Sequence, residues 1–268
     1  MTTRSVFVVP TLCLGILGSS CHAAEASPQS LFDAVKNGDV ATVRRLLDSN
    51  PAQAAAHDAR GMSVVLRALL SMREQGFIDP KHNELLDTVL ARKPALDFFE
   101  TCAVGSAGAA EHMLAANSAL LASWHAIGWT PLHFAAFAGN GPVIDLLLQK
   151  GAFADARARN TFRNTPLAVA LLTGQIEAAR RLVAGGTDVN VRQAGGFAPI
   201  HEAALLGRTD ILTLLLDSGA EIGARANDGR TAVTEAERGG HAETAAFLRS
   251  RGGKDATISA DLSAEPKT

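Results

Sequence analysis

Histidine and cysteine are the side chains here best suited to bind a metal or move a proton, and His133 has the most unusual setting. It lies in GWTPLHFAAFAGN, residues 128–140, an alanine-rich apolar stretch two residues after Pro131. A neutral imidazole there could ligate a metal, act as a base, or tie a turn by hydrogen bonding. The remaining histidines, His57, His82, His112, His125 and His241, show no ligand spacing, and His22 falls near the N-terminus. No H-E-x-x-H and no paired CxxC occurs. GSAGAAE around Gly105 lacks the lysine of a phosphate-binding loop. Cys102, in FFETCAVG, reads as a small buried hydrophobe rather than a reactive thiol. The expectation is no catalytic residue, no metal and no cofactor; the chain is not expected to be an enzyme.

The surrounding chain has an ordinary globular balance, with 47% hydrophobic and 19% charged residues among 268. A net charge of -2 supplies no overall basic field for nucleic acid. The first residues differ. Arg4 precedes an apolar run from Val6 to Leu17, then small and polar residues. That order fits a secretory signal over residues 1–24, with a mature chain beginning near Glu25. The run is too short to span a bilayer. A lipid anchor at Cys21 is the less favoured variant, because Leu17 sits one residue too early. Removal of Cys13 and Cys21 with the signal would leave Cys102 alone, so no internal disulfide is expected.

Internal periodicity explains the His133 stretch. Thr130 recurs as Thr165, Ala198 and Thr231, at spacings of 35, 33 and 33. Gly139, Gly174, Gly207 and Gly240 keep that spacing, as do Gly151, Gly186, Gly219 and Gly252. TPLHFAAFAG with LLLQKGAFADA, and APIHEAALLG with LLLDSGAEIGA, resemble the ankyrin repeat family. The resemblance implies an all-α solenoid of stacked helix-turn-helix repeats joined by short β-hairpin-like loops. It also implies that His133 and His201 tie turns together with Thr130, Thr165 and Thr231. Ala168 and Thr234 replace the histidine in the other two copies. A residue that keeps the repeat's register reads as structural, since a catalyst or metal ligand has no reason to recur.

Earlier copies are more worn. LFDAVKNGDVATVRRLLDSN and LDFFETCAVGSAGAAEHMLA each fit a repeat, and a divergent copy with an inserted loop, Arg73 to Asn83, lies between them. The expected organisation is about seven repeats over residues 25–253, followed by a disordered tail over 254–268. The last repeat is more charged than its predecessors, as a solvent-facing cap requires.

The resemblance places ligands on loop tips and on the concave face of the first helices. The column before the threonine reads Trp129, Asn164, Phe197 and Arg230. The column two residues before the inter-helix glycine reads Phe137, Leu172, Leu205 and Arg238, and Ile127 and Phe162 stand in the loops. Trp129, Phe137, Phe162, Asn164, Phe197, Leu205, Arg230 and Arg238 are therefore the expected partner-binding residues. The alternative is that the apolar ones pack between neighbouring loops. The implied function is a monomeric, non-catalytic scaffold of a bacterial envelope, in the periplasm, binding another protein. Two narrower roles fit the same resemblance: accessory factor to a periplasmic enzyme such as a catalase, or immunity protein against a secreted toxin.

Overall fold

Short helices need their free N–H groups capped, and the first helices of the third, fifth and seventh hairpins begin at a side chain that accepts a backbone N–H three residues on. The computed structural model describes residues 28–71 and 84–256. The expected signal with Cys13, Cys21 and His22, the inserted loop with His82, and the tail from residue 257 onward lie outside the described residues.

Among the described residues there are fourteen α-helices. They are α1 (Pro28–Lys36), α2 (Val40–Ser49), α3 (Val64–Ser71), α4 (Glu84–Leu90), α5 (Phe98–Val104), α6 (Ala107–Ala116), α7 (Pro131–Ala138) and α8 (Gly141–Gln149). Then follow α9 (Pro166–Leu172), α10 (Ile176–Ala184), α11 (Pro199–Leu205), α12 (Thr209–Asp217), α13 (Ala232–Arg238) and α14 (Ala242–Ser250). Successive pairs form antiparallel hairpins. Along the stack α5 packs on α7, α7 on α9, α9 on α11 and α11 on α13. The second helices form the other layer, α6 on α8, α8 on α10 and α10 on α12.

One hairpin cannot bury its apolar stripe, so the core runs between hairpins. Leu132, Ala135 and Ala136 of α7 are buried against Leu167 and Ala170 of α9 and the leucines of α8 and α10. Alanine on the facing sides lets α7, α9 and α11 approach closely. The turn within the fourth hairpin is set by Gly139, at φ 72°, where a Cβ would lie against the Gln175 side chain. Gly105, in the corresponding place of the third hairpin, has φ -88°. That end is held instead by the Asn140 amide, which donates to the carbonyls of Cys102, Ala103 and Gly105 at 3.0–3.2 Å.

No named strand occurs among the described residues, but the loops before α7, α11 and α13 fold back on themselves. His125 N–H donates to Trp129 C=O, Gln193 to Phe197 and Ala226 to Arg230. Adjacent loops are stitched as well: Arg159 N–H donates to Gly128 C=O, Ala194 to Phe162 and Asn227 to Gly195, at 2.8–3.0 Å. The loops before α9, α11 and α13 are thereby fixed relative to one another.

Candidate binding face

His133 is fully buried at the start of α7. Its Nδ1 accepts the backbone N–H of Thr130 at 3.2 Å and meets the Thr130 hydroxyl at 2.7 Å. Its Nε2 lies 3.0 Å from the Asn164 carbonyl in the next loop. Nε2 therefore carries the hydrogen and donates, leaving Nδ1 to accept from Thr130. Burial holds the imidazole neutral, with its pKa lowered to about 4. The side chain closes the helix start and links one repeat to the next.

The same closure appears elsewhere with other chemistry. His201 Nδ1 accepts the Ala198 N–H at 3.1 Å, and burial lowers its pKa too. Thr234 takes the histidine's place at Thr231, accepting that backbone N–H at 2.9 Å. Thr165 accepts from Ala168 N–H. In the third repeat Asp97 and Glu100 form a reciprocal capping box. Glu100 is buried, and desolvation raises its pKa. Cys102 is free and fully buried, and burial pushes its thiol far above the usual range. Among the described residues no three His, Cys, Asp or Glu side chains gather where they could hold a metal.

The expected outward row divides in two. Trp129 and Phe137 are only 4% and 5% exposed, which corrects their assignment to an exposed patch. The Trp129 ring folds back over its own helix, stacked on His133 with centroids 6.0 Å apart and edge-on to Phe134 at 5.2 Å. Phe137 lies 5.5 Å from the indole, while Phe99 and His125 complete the cluster around Phe134. Asn164 is also buried, and its carbonyl is committed to His133 and to the Ala158 N–H. These three residues stabilise the junction of the fourth and fifth repeats. They leave only a shallow depression between Trp129, Phe137, Val169 and Leu172.

The other five positions reach the surface. Phe162 is 61% exposed. It sits at the tip of the loop before α9, which is two residues longer than its counterparts, as the spacing of 35 against 33 records. Asn160 Oδ1 accepts the N–H groups of Phe162 and Arg163, pinning that tip. Phe197 and Leu205 are half-buried, and Arg238 is exposed. Glu235, 1% exposed, accepts from Arg230 at 2.7 Å and from Arg238 at 2.6 Å. The Arg230 guanidinium also lies 4.7 Å from the centre of the Phe197 ring, which meets His201 edge-on. Two arginines and a phenyl ring are thus held in fixed places at this end of the face.

Two residues were not singled out from the sequence. Glu202 of α11 is buried, with one oxygen accepting from the Gln193 amide and the other unpartnered. Burial raises its pKa to about 8. Its signal was the column Phe134, Val169, Glu202, Glu235, which turns from apolar to acidic along the chain. Phe153, in the turn after α8, is 72% exposed. Its column otherwise holds charged residues, Asp188, Glu221 and Lys254.

A family model described as ankyrin repeats (3 copies) matches residues 101–193 and 182–260. Among curated proteins, 85 residues are 36% identical to the transient receptor potential cation channel subfamily A member 1 homolog of Caenorhabditis elegans, covering 32% of this chain and 7% of that protein. A stretch of 75 residues is 36% identical to alpha-latrotoxin-Lh1a of Latrodectus hasselti, covering 28% of this chain and 6% of the toxin. Alpha-latrotoxin-Lhe1a of Latrodectus hesperus is 35% identical over 75 residues, again 28% of this chain and 5% of the toxin. The chain thus spans 7% or less of the length of these relatives.

Proposed function

Since this chain belongs to the ankyrin repeat family, whose repeats serve protein–protein interaction, we propose that it is a non-catalytic scaffold binding one protein partner through its fifth to seventh repeats. The observation that carries this reading is the fixed surface formed by Phe197, Arg230 and Arg238 around buried Glu235. Rings and guanidinium groups already held in place lose little freedom on binding, so more of their contact energy appears as affinity. Phe162 and Leu205 extend the same surface with apolar area.

The reading places the mature protein in a bacterial periplasm, supported by Arg4 and the apolar run from Val6 to Leu17. N-terminal sequencing of the protein from an envelope fraction should begin near Glu25; a soluble cytoplasmic form retaining Met1 or Thr2 would refute export. For the binding face, a photoreactive phenylalanine analogue placed at Phe162 or Leu205 should give a protein adduct on irradiation. The same analogue at Arg180, on α10 of the outer layer, should give none. Adducts at Arg180 alone would move the interface to the other side of the stack.

A further inference from the structure

The loops before α9, α11 and α13 are rich in arginine in a chain whose net charge is -2. From each helix-ending glycine to the next helix, residues 151–165, 186–198 and 219–231 hold six arginines, Arg157, Arg159, Arg163, Arg192, Arg225 and Arg230, against four acidic residues, Asp155, Asp188, Glu221 and Asp228. Three of them form a column: Arg157, Arg192 and Arg225 each stand six residues after a helix-ending glycine, Gly151, Gly186 and Gly219.

These side chains are positioned rather than loose. Arg192 donates to the carbonyls of Gly196 and Arg225 and lies 3.5 Å from the Glu221 carboxylate, Arg225 donates to Gly229 C=O at 3.2 Å, and Arg230 pairs with Asp228 at 2.7 Å. The Arg159 guanidinium lies 4.0 Å from the centre of the Trp124 ring. Arg157 and Arg163 are exposed and pair with no carboxylate among the described residues. The backbone bonds between neighbouring loops hold the whole row in register. Phe162 lies between Arg159 and Arg163 in sequence, with its side chain exposed.

We propose that the loop tips of the fifth to seventh repeats dock an acidic segment of the partner protein, with Phe162 as its apolar contact. This rests on the scaffold reading and names the partner's chemistry. No lysine occurs between Lys150 and Lys254, so every cation on the row is a guanidinium. Its planar fork matches a carboxylate in two parallel hydrogen bonds. Carboxylates arriving at Arg157 and Arg163 displace only water, because those arginines have no acid of their own to give up. The apolar tip favours a peptide, which can offer a side chain to Phe162 as well as charge.

The test is fluorescence anisotropy with a labelled glutamate-rich peptide bearing one central leucine. The full chain should bind it, more weakly as salt rises. The double variant Arg157→Glu/Arg163→Glu should melt with the parent and bind at least about tenfold more weakly. Phe162→Ser should weaken binding without changing the salt dependence. Equal binding by the parent and the double variant would overturn the proposal. So would tighter binding of an oligothymidylate or of phosphatidylglycerol vesicles, which would assign the row to nucleic acid or to a membrane surface. If the peptide fails to bind while the adduct at Leu205 still forms, the acidic chemistry is wrong and the scaffold reading stands. If both fail, the scaffold reading falls with it.

Discussion

Thr130 and His133 meet through a backbone N–H, a hydroxyl and one imidazole, and the other ring nitrogen reaches the next repeat. His133→Ala leaves Thr130 N–H and the Asn164 carbonyl without that partner, and should cost roughly 1 to 3 kcal/mol of stability. Acid should act in the same direction. The folded pKa, near 4, lies below the ordinary 6.5, so the unfolded chain takes up the proton first. The stability that the neutral ring supports is present above pH 6.5 and is lost as pH falls toward 4, by up to about 3 kcal/mol. In His133→Ala that acid limb should shrink. Glu202 works oppositely, since its folded pKa of about 8 lies above the ordinary 4.5. Its contribution is full below pH 4.5 and is lost as pH rises through 8. Glu202→Gln should therefore gain on the parent in melting temperature between pH 5 and pH 9; a constant gap would mean the carboxyl is not held neutral. The structural part of His133 was legible because His201 repeats it in register. Glu202 was not, because its burial depends on the packing of α11 against α13 and of the Gln193 loop.

At the scale of elements, spacing announced the hairpins and capping residues marked their starts. The direction of a loop side chain is a different matter. Trp129 precedes a helix, and its column suggested an outward ring. The ring turns inward because Phe134 and Phe137, one and two turns into α7, offer it an aromatic bed. Phe197 has Glu202 and Leu205 at those places, and stays half-exposed. Trp129→Ser should thus act as a core truncation, costing about 3 kcal/mol or more by thermal melting. A variant melting with the parent would return the indole to the surface. The stitching between loops has its own weak point at Gly128, with φ 80°, where an added Cβ would lie 2.7 Å from the Arg159 backbone. Gly128→Ala should destabilise by about 1 kcal/mol or more. Amide exchange at Arg159, whose N–H is bonded to Gly128, should accelerate most.

Over the whole molecule, the stack changes character along its length. The column on the inner helices passes from Phe134 and Val169 to Glu202 and Glu235, and the next from Phe137 and Leu172 to Leu205 and Arg238. The aromatic middle is internal, while the surface proposed to meet a partner lies toward the C-terminal repeats. The central claim is that this surface, and not the histidine-bearing turn, carries function. Its most direct test is quantitative capture from an envelope fraction with three immobilised baits: the parent, the variant Phe162→Ser/Leu205→Ser/Arg238→Ser, and Arg180→Ser on the outer layer. Melting curves must show all three folded. The account predicts one protein held by the parent and by Arg180→Ser and lost, by about tenfold or more, from the triple variant. Equal retention by all three folded baits would contradict it.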